Sequence, residues 1–336
     1  MGSLAGLKVR WLLPCLVAAA ASFATVILAS ETTQLHLVST PWPPFTNKAG
    51  QPRFALDLVE AAFSRIGVSS RTAIVPAAQF TASLLGSAFD GSAAAWKDPD
   101  RERVLTFSEP YLENRLILVG RRGSDVAATT LTALTGKRIA IVQGYSYGDA
   151  IKNGGPTFVP TATEQDCLSQ LLQSRVDYTL MDELVVRYIV ADYPTEAQSR
   201  LSVGKTALVV RPLYLAIRRD LPGAQAIITK FNAQIRGMVA DRTYHRLLHL
   251  DWIRADVDGD GIAEYVPATD HPGASQPQSA YLIGSTARQT EGSSRFYFGG
   301  NIYENWASVP ESYKSTANDG HDDARRSMGS VFTFKW

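Results

Sequence analysis

Four short stretches of the chain carry residue types that are able to do chemistry. Residues 144–148, Gly-Tyr-Ser-Tyr-Gly, have the G-x-S-x-G spacing of a hydrolase nucleophile elbow. Arg101 offers a planar guanidinium, which can hold a carboxylate through two parallel hydrogen bonds. Asp182 follows a short apolar segment and offers a carboxylate to a cation, with Glu183 beside it. The fourth stretch, residues 256–264, gathers acidic side chains around glycines and indicates a metal site.

The acidic stretch reads DVDGDGIAE and lies in a loop that we place at 254–270 and name the acidic loop. Carboxylates at alternate positions around a tight turn converge on one point, which supplies the oxygen-rich shell that Ca²⁺ requires. The predicted ligands are the side chains of Asp256, Asp258, Asp260 and Glu264 and the backbone carbonyl of Ile262. An EF-hand would have a glutamate at position twelve, where this chain has Pro267. We therefore expect a structural calcium ion in a shorter type of loop, and the alternative is a solvated acidic linker.

Ser146 has two interpretations, as a nucleophile or as part of a turn that holds an anion. A nucleophilic serine needs a histidine base and an acid that follow it in the chain. His245 and His249 follow it, but they lie in the helical pattern TYHRLLHL, whereas a triad histidine belongs on a loop after a strand. No HGG-type oxyanion stretch precedes the serine. The pattern therefore favours a turn whose backbone N–H groups bind an anion.

Composition and charge narrow the classes of partner. The chain has 336 residues, with 33 basic and 32 acidic side chains and a formal net charge of +1. This balance gives no global field for nucleic acid or an anionic membrane, so we expect no nucleic-acid partner. Lys8 and Arg10 precede an apolar run, which predicts a secretory signal over residues 1–30 or, alternatively, an uncleaved membrane anchor. Without the signal, Cys167 is the only cysteine, so no internal disulfide is expected.

After residue 33, short apolar strands alternate with amphipathic helices, which is typical of an α/β domain with a largely parallel sheet. Leu56, Val59, Phe63 and Ile66 form a helical stripe that ends at Gly67, and residues 228–238 carry a second stripe. The predicted strands are 35–40, 72–77, 115–121, 138–143, 177–182 and 213–219. Residues 271–336 are rich in Ser, Gly, Asn and Pro and predict an irregular tail, whose aromatic runs RFYFGG, YENW and FTFKW are able to dock on a core.

Six ordered pieces of the sequence together resemble a known family. They are TPWPPFT (40–46), FALDLVEAAFSRIGV (54–68), DPDRERVLTFSEPY (98–111), LTALTGKRIAIVQGYSYGD (131–149), SRVDYTLMD (174–182) and ADRTYHRLL (240–248). Residues 33–253 thereby resemble the family 3 extracellular solute-binding proteins, the polar amino-acid receptors of ATP-driven (ABC) importers. The resemblance implies a periplasmic-binding-protein-like (type II) fold with two α/β lobes and two hinge crossings, followed here by an irregular C-terminal extension.

The resemblance also implies a domain plan and partners. Lobe one would comprise 33–117 and 213–253, and lobe two 118–212, with hinge bending closing a cleft between them. The expected partners are a small zwitterionic ligand, such as a polar amino acid, and the membrane subunits of an ABC importer. We expect a periplasmic monomer without enzymatic activity. Two alternatives remain open, namely a dehydratase-like enzyme on the same fold and a ligand-sensing subunit.

The same resemblance assigns roles to residues of the site. Arg101 stands six residues before Phe107 and matches the arginine that binds the ligand carboxylate. Ser146 matches a hydroxyl residue that meets the same carboxylate, and Asp182 matches the acid that pairs with the ammonium. Trp42 matches the aromatic residue that covers the ligand side chain. Glu183 is the alternative to Asp182, because one of these two carboxylates is expected to be only a helix-start charge.

The chain departs from the family pattern next to the arginine. Trp96 replaces the usual serine or threonine five residues before Arg101, and Asp98 replaces a threonine three residues before it. Ala94 can still offer its backbone to a ligand. A bulky Trp96 would shrink the pocket, stack on a ring or select a ligand other than an ordinary α-amino acid.

Overall fold

In the computed structural model, the described residues are 2, 34–143, 147, 151, 155–277, 280–283 and 294–315. The chain divides into two units, Met1–Thr32 and Thr33–Trp336. The predicted signal segment lies outside the described residues, apart from residue 2. Within the described part of the chain, no helix combines the length and the apolar character needed to cross a membrane.

Nine strands form the main sheet of the second unit. They are β1 Gln34–Ser39, β2 Ser69–Ile74, β3 Gly91–Ala95, β4 Leu105–Phe107, β5 Leu112–Arg121, β6 Arg138–Val142, β7 Thr157–Thr161, β8 Tyr178–Asp182 and β9 Leu201–Arg218. Their order is β2-β1-β3-β9-β5-β8-β6-β7, and β4 also pairs with β9. The β1–β2, β1–β3, β6–β7 and β6–β8 pairs are parallel, whereas β9 and β5 run antiparallel to their neighbours.

Helices alternate with many of these strands along the chain. They are α1 Phe54–Arg65, α2 Ala77–Leu85, α3 Pro99–Val104, α4 Glu164–Leu172, α5 Glu183–Asp192, α6 Pro194–Arg200, α7 Ala224–Ala240 and α8 Thr243–Leu248. The stripe predicted from Leu56, Val59 and Phe63 is buried on α1, and the chain leaves this helix through Gly67 at a φ of 70°. Thr163 caps α4 by accepting a hydrogen bond from the backbone N–H of Asp166, as a residue of that type does at a helix start.

Two long strands connect the two halves of the sheet. β9 and β5 pair from Leu213 opposite Leu112 to Leu201 opposite Arg121. On one side, β9 pairs with β3 and β4, and on the other side β5 pairs with β8. Two clusters of buried apolar side chains lie in the half that contains β6, β7 and β8, and a third fills the other half and also includes Leu184 and Tyr188 of α5. The two-lobed α/β fold predicted from the sequence is confirmed, whereas the boundaries at 117/118 and 212/213 fall inside β5 and β9 and stay predictions.

The segment predicted as irregular contributes short strands to a second sheet. Its strands are β10 Trp252–Ala255, β11 Glu264–Pro267, β12 Tyr281–Leu282, β13 Phe296–Phe298 and β14 Asn301–Tyr303, in the order β12-β10-β11-β13-β14. We call it the C-terminal sheet. The last three strands are only two or three residues long, so no alternating pattern announces them in the sequence. The other described residues of 271–315 are largely irregular, and 278–279, 284–293 and 316–336 lie outside the described residues.

Aromatic side chains hold the C-terminal sheet together. Phe296 and Phe298 are fully buried, and the rings of Trp252 and Trp306 pack against both. The expected docking of RFYFGG and YENW is therefore confirmed, while FTFKW falls outside the described residues. Tyr281 joins this sheet to the main one, because its buried hydroxyl accepts a hydrogen bond from the backbone N–H of Glu113 on β5 at 3.3 Å and donates one to the carbonyl of Glu113.

Candidate functional site

The paired strands β5 and β9 place two polar side chains between the halves of the sheet. Asn114 on β5 lies directly opposite Arg211 on β9. Side chains of directly opposed residues in an antiparallel pair share one face of the sheet, so Asn114 and Arg211 do so here. The amide of Asn114 donates a hydrogen bond of 2.5 Å to the carboxylate of Asp182, at the end of β8. This face therefore connects the hinge strands to a predicted site residue.

Trp96 and Trp42 form an aromatic wall beside Arg211. Trp96 follows β3, and its ring centroid is 5.3 Å from that of Trp42, which in turn stacks on Phe45 at 4.4 Å. The guanidinium carbon of Arg211 lies 5.1 Å from the centroid of the Trp96 ring, within the range of a cation–π contact. The indole N–H of Trp96 is buried and has no hydrogen-bond partner among the described residues. Such a donor costs free energy until an acceptor reaches it.

Arg101 lies on α3, held by the chain just before that helix. Its Nη1 donates to the carbonyl oxygen of Trp96 at 2.8 Å, and its Nε is 3.1 Å from a carboxylate oxygen of Asp98. The side chain of Arg101 is only 11% exposed, whereas Nη2 has no hydrogen bond to any described residue. Asp98 also caps α3 by accepting from the backbone N–H of Arg101 at 2.9 Å. Asp98 therefore caps the helix, as a threonine at this position could, and its negative charge also pairs with Arg101.

Asp182 is buried at the start of α5. One of its carboxylate oxygens accepts from the backbone N–H of Leu184 at 2.8 Å, and the other accepts from the backbone N–H of Arg115 at 3.0 Å and from Asn114. Glu183, beside it, binds the guanidinium groups of Arg115 and Arg187. The helix-start carboxylate is thus Asp182 itself, while Glu183 belongs to a partly buried ion-pair network.

Burial controls the protonation of both predicted charge partners. Burial raises the pKa of Asp182 to about 7 and outweighs the three N–H donors, which favour the carboxylate. Burial also lowers the pKa of Arg101, against the effect of Asp98, and the nearby charge of Arg211 lowers it further. An incoming ammonium would favour the ionised form of Asp182, since an opposite charge stabilises the charged state.

The predicted charge partners do not contact each other, but a chain of contacts connects them. Arg101 binds the backbone of Trp96, Arg211 covers the Trp96 ring, and Asn114, opposite Arg211, binds Asp182. We name these five residues, Trp96, Arg101, Asn114, Asp182 and Arg211, the interlobe cluster. It brings a guanidinium from the β3–α3 region and a carboxylate from the β8–α5 region to one face of the hinge strands.

Two other predicted site residues, Ala94 and Ser146, are not part of the interlobe cluster. Ala94 is buried on β3, and the Ser92 hydroxyl lies 3.3 Å from its backbone N–H and 3.2 Å from its carbonyl. Ser146 lies outside the described residues. Tyr147, the next residue, is buried, and its hydroxyl accepts from the backbone N–H of Val142 at 2.8 Å.

In the acidic loop, three carboxylates lie close together and an arginine from outside the loop binds its acidic side chains. Carboxylate oxygens of Asp256, Asp258 and Asp260 lie within 4.8 Å of one another, which is compatible with a shared cation. Arg295, just before β13, is also there: its Nη1 donates to Asp260 at 2.7 Å, and its Nε donates to Glu264 at 2.8 Å. Glu264 is fully buried, and its second oxygen accepts from the backbone N–H of Val257 at 3.1 Å.

The sequence prediction missed Asn114, Arg211 and Arg295. Asn114 and Arg211 stand out in hindsight as polar residues inside the two strands that cross between the lobes, where an apolar pattern was expected. Arg295 gave no signal, because it lies about thirty residues from the loop that it contacts. Only the pairing of β11 with β13 brings it there.

Comparison with known proteins supports the fold and the class. The profile of the bacterial extracellular solute-binding proteins, family 3, matches residues 36–254. A protein of Escherichia coli (strain K12) described as "Putative ABC transporter arginine-binding protein 2" is 26% identical over 151 residues, which cover 44% of this chain and 60% of that protein. The alignment thus spans less than two thirds of this relative's length.

Solved structures resemble the chain at the level of the fold. The GluR0 ligand-binding core in complex with L-glutamate has a TM-score of 0.52 at 15% identity, covering 65% of this chain and 98% of that one. The corresponding core from Nostoc punctiforme has a TM-score of 0.50 at 18% identity, covering 63% of this chain and 96% of that one.

Two lobes joined by paired crossing strands define the class of two-lobed solute-binding proteins. Since the family match covers well over half of the chain, the protein belongs to the bacterial extracellular solute-binding proteins, family 3. The resemblance seen in the sequence is thereby confirmed.

Proposed function

We propose that this protein binds a small zwitterionic ligand, an amino acid, between its two lobes and presents it to the membrane subunits of an ABC importer. Family membership supports solute binding, and the name of the Escherichia coli relative supports an amino-acid ligand and an ABC transporter. The ligand and the transporter partner belong to the proposal, because that relative is matched over only 60% of its length.

One observation carries the proposal, which is the interlobe cluster. It holds a guanidinium and a carboxylate apart on one face of the hinge strands, connected through Trp96, Arg211 and Asn114. A free amino acid has a carboxylate and an ammonium, and neither leaves water cheaply without a partner. Arg101 would take the carboxylate through Nη2, and Asp182 would take the ammonium. The buried indole N–H of Trp96 is a further donor for the carboxylate and would replace the hydroxyl lost at that position.

Three further residues would contact the ligand. Ser146 would add its hydroxyl and neighbouring backbone N–H groups to the carboxylate, Ala94 its backbone, and Trp42 would cover the ligand side chain. Binding would close the lobes by bending β5 and β9, since hinge closure around a ligand exploits such paired connections. The protein would act as a periplasmic monomer, exported by the signal segment at 1–30.

A calcium ion is a separate proposal for the acidic loop. The convergence of Asp256, Asp258 and Asp260 supports it, and the carbonyl of Ile262 would complete the set with Glu264. Arg295 already binds Asp260 and Glu264, so these two carboxylates would bind calcium only in competition with its guanidinium. The ion would have a structural role, outside the ligand site.

The function is tested by screening the twenty amino acids for thermal stabilisation of the whole protein, followed by titration calorimetry of each hit. We expect one or a few amino acids to bind stoichiometrically and to be recovered unchanged. Consumption of a bound ligand would favour a dehydratase-like enzyme. Binding without transport in vesicles that contain the candidate importer would favour a sensing subunit, and the absence of any hit would refute the proposal.

A further inference from the structure

The strands in the half of the sheet that contains β6, β7 and β8 share one end that lies away from Asp182. β5 ends at Arg121, which pairs with Leu201, the first residue of β9. β8 begins at Tyr178, which pairs with the residue before Arg121 and with Ile139 of β6. The end of β5 and the starts of β6, β8 and β9 therefore lie together. Asp182 is the last residue of β8, so this end lies about 13 Å from it along the strand.

Five exposed cations flank these strand ends. Arg122 follows β5, Lys137 and Arg138 lie at the start of β6, and Arg175 and Arg200 precede β8 and β9. We name these five residues the distal basic patch. None of their side chains has a hydrogen bond or an ion pair with any described residue. Neighbouring strands are about 4.8 Å apart, so the four strand ends span about 15 Å of the sheet.

The acidic residues near this end neutralise the patch only in part. Asp177 accepts a hydrogen bond from the backbone N–H of Arg138 at 2.8 Å, and Asp125 accepts one within the loop after β5 at 2.9 Å. Asp192 and Glu196 lie on the two helices that precede β9. Of these four acids only Asp125 is exposed. The surface that a partner would meet thus has an excess of positive charge, although the net charge of the whole chain is only +1.

The patch matches a surface that carries many phosphate groups. Four of its five cations are arginines, whose planar guanidinium groups bind phosphate through two hydrogen bonds. The cations are spread over four strand ends, which suits phosphates repeated across a plane. A phospholipid membrane presents its phosphates in this way, and an anionic membrane surface attracts basic side chains. Because the chain belongs to an extracellular family, a membrane is the phosphate-rich surface within its reach.

We propose that the distal basic patch binds the anionic phospholipid surface of a membrane. The protein then lies against the membrane through the end of the sheet opposite to Asp182, which keeps that residue away from the lipid. The attraction is electrostatic, and each cation near the surface contributes about fivefold in affinity. This inference goes beyond the proposed function and does not depend on it.

The test measures sedimentation of the whole protein with vesicles at low salt. One set of vesicles contains phosphatidylcholine alone, and the other mixes it with anionic phosphatidylglycerol. We expect tighter binding to the anionic vesicles and loss of this preference at about 0.5 M salt, since salt screens exposed charges. The combined variant Arg122→Gln, Arg175→Gln and Arg200→Gln should bind the anionic vesicles about a hundredfold more weakly.

The matched control is the combined variant Arg71→Gln, Arg103→Gln and Lys230→Gln. It removes the same charge from exposed positions on β2, α3 and α7, in the other half of the fold. Its affinity for the anionic vesicles should fall less than about fivefold, because these cations lie outside the patch. Both variants keep residues 1–30, so any contribution of that apolar run is common to them. Circular dichroism checks that both variants are folded.

Equal losses in the two folded variants would show that net charge, rather than the patch, causes binding, and would overturn the inference. Equal binding of the parent protein to neutral and anionic vesicles would also overturn it. If the protein binds poly-L-glutamate but neither set of vesicles, the patch fits an acidic protein segment and the inference fails. None of these results bears on the amino-acid ligand, because the patch and Asp182 lie at opposite ends of β8.

Discussion

The C-terminal sheet and the interlobe cluster both bring guanidinium groups near carboxylates, and they do so in opposite ways. At the C-terminal sheet, Arg295 binds Asp260 and Glu264 directly, so the opposite charges satisfy each other. In the interlobe cluster, the half-buried Arg101 and the buried Asp182 do not contact each other: Arg101 lies beside the carboxylate of the more exposed Asp98, and Asp182 accepts hydrogen bonds from N–H groups. Charges that are paired inside the chain hold structure together, whereas charges held apart with donors to spare are arranged for a ligand.

The greatest change should be the loss of ligand binding in Arg101→Ala. Removing one partner of a buried charge pair costs roughly 2–5 kcal/mol, so affinity should fall on the order of a thousandfold. Calorimetry with the best ligand of the screen measures the change. Arg103→Ala is the control, because Arg103 lies on the same helix with its side chain 77% exposed. If Arg101→Ala binds the ligand within about threefold of the parent protein, Arg101 does not bind the ligand carboxylate. The interlobe cluster would then not differ in this respect from the ion pairs of Arg295.

The next effect concerns stability at the C-terminal sheet. Arg295→Met leaves the fully buried Glu264 without its cation, which should reduce the free energy of unfolding by about 3 kcal/mol. Urea denaturation measures this loss. Arg236→Ala, which breaks the ion pair with Glu109 between side chains 54% and 61% exposed, should cost less than about 1 kcal/mol.

Calcium provides a second measurement on the Arg295→Met variant. If Arg295 acts as the counter-ion of the acidic loop, calcium should raise the melting temperature of Arg295→Met more than that of the parent protein. If calcium raises the melting temperature of the parent protein as much as that of the variant, the ion and Arg295 do not compete.

Protonation of Asp182 should make binding depend on pH. Its pKa in the free protein is about 7, against an ordinary value of 3.8, so the folded state holds a proton that the unfolded chain has lost between these values. Stability of the free protein therefore declines as pH rises through this window and levels off above 7. Because an ammonium requires the carboxylate, ligand affinity should fall about tenfold per pH unit below pH 7.

Calorimetry between pH 5.5 and 8 tests this dependence. Asp182→Asn should bind weakly and without the same pH profile. A flat affinity profile in the parent protein would mean that Asp182 does not meet the ammonium, and would remove one end of the interlobe cluster from the site.

A minor effect is expected where the C-terminal sheet meets β5. Tyr281→Phe removes a hydroxyl that bonds the backbone of Glu113 on β5, at an expected cost of about 1 kcal/mol in the free energy of unfolding. Ligand affinity should change less than about twofold, because the side chain of Asn114 lies on the opposite face of the strand from that of Glu113. Tyr303→Phe is the control, since its hydroxyl has no partner among the described residues. A larger loss of affinity would show that the C-terminal sheet acts on the hinge.

Local sequence patterns were enough to predict the framework of the protein. They were sufficient for α1, for the Thr163 cap of α4 and for most strands of the main sheet, because burial of one face leaves a periodic apolar pattern. The resemblance to the family also singled out Arg101 and Asp182, whose roles in ligand binding stay predictions. These features depend on neighbours a few positions apart, which a sequence displays directly.

The meeting of distant residues depends instead on how the chain folds in three dimensions. The length of β9, the opposition of Asn114 to Arg211 and the contact of Arg211 with Trp96 all follow from strand pairing. Arg295 reaches the acidic loop by the same kind of pairing, and the short strands of the C-terminal sheet form only against their neighbours. Polar groups far apart in the chain leave no periodic pattern, so their charges become partners or remain apart only when the fold places them.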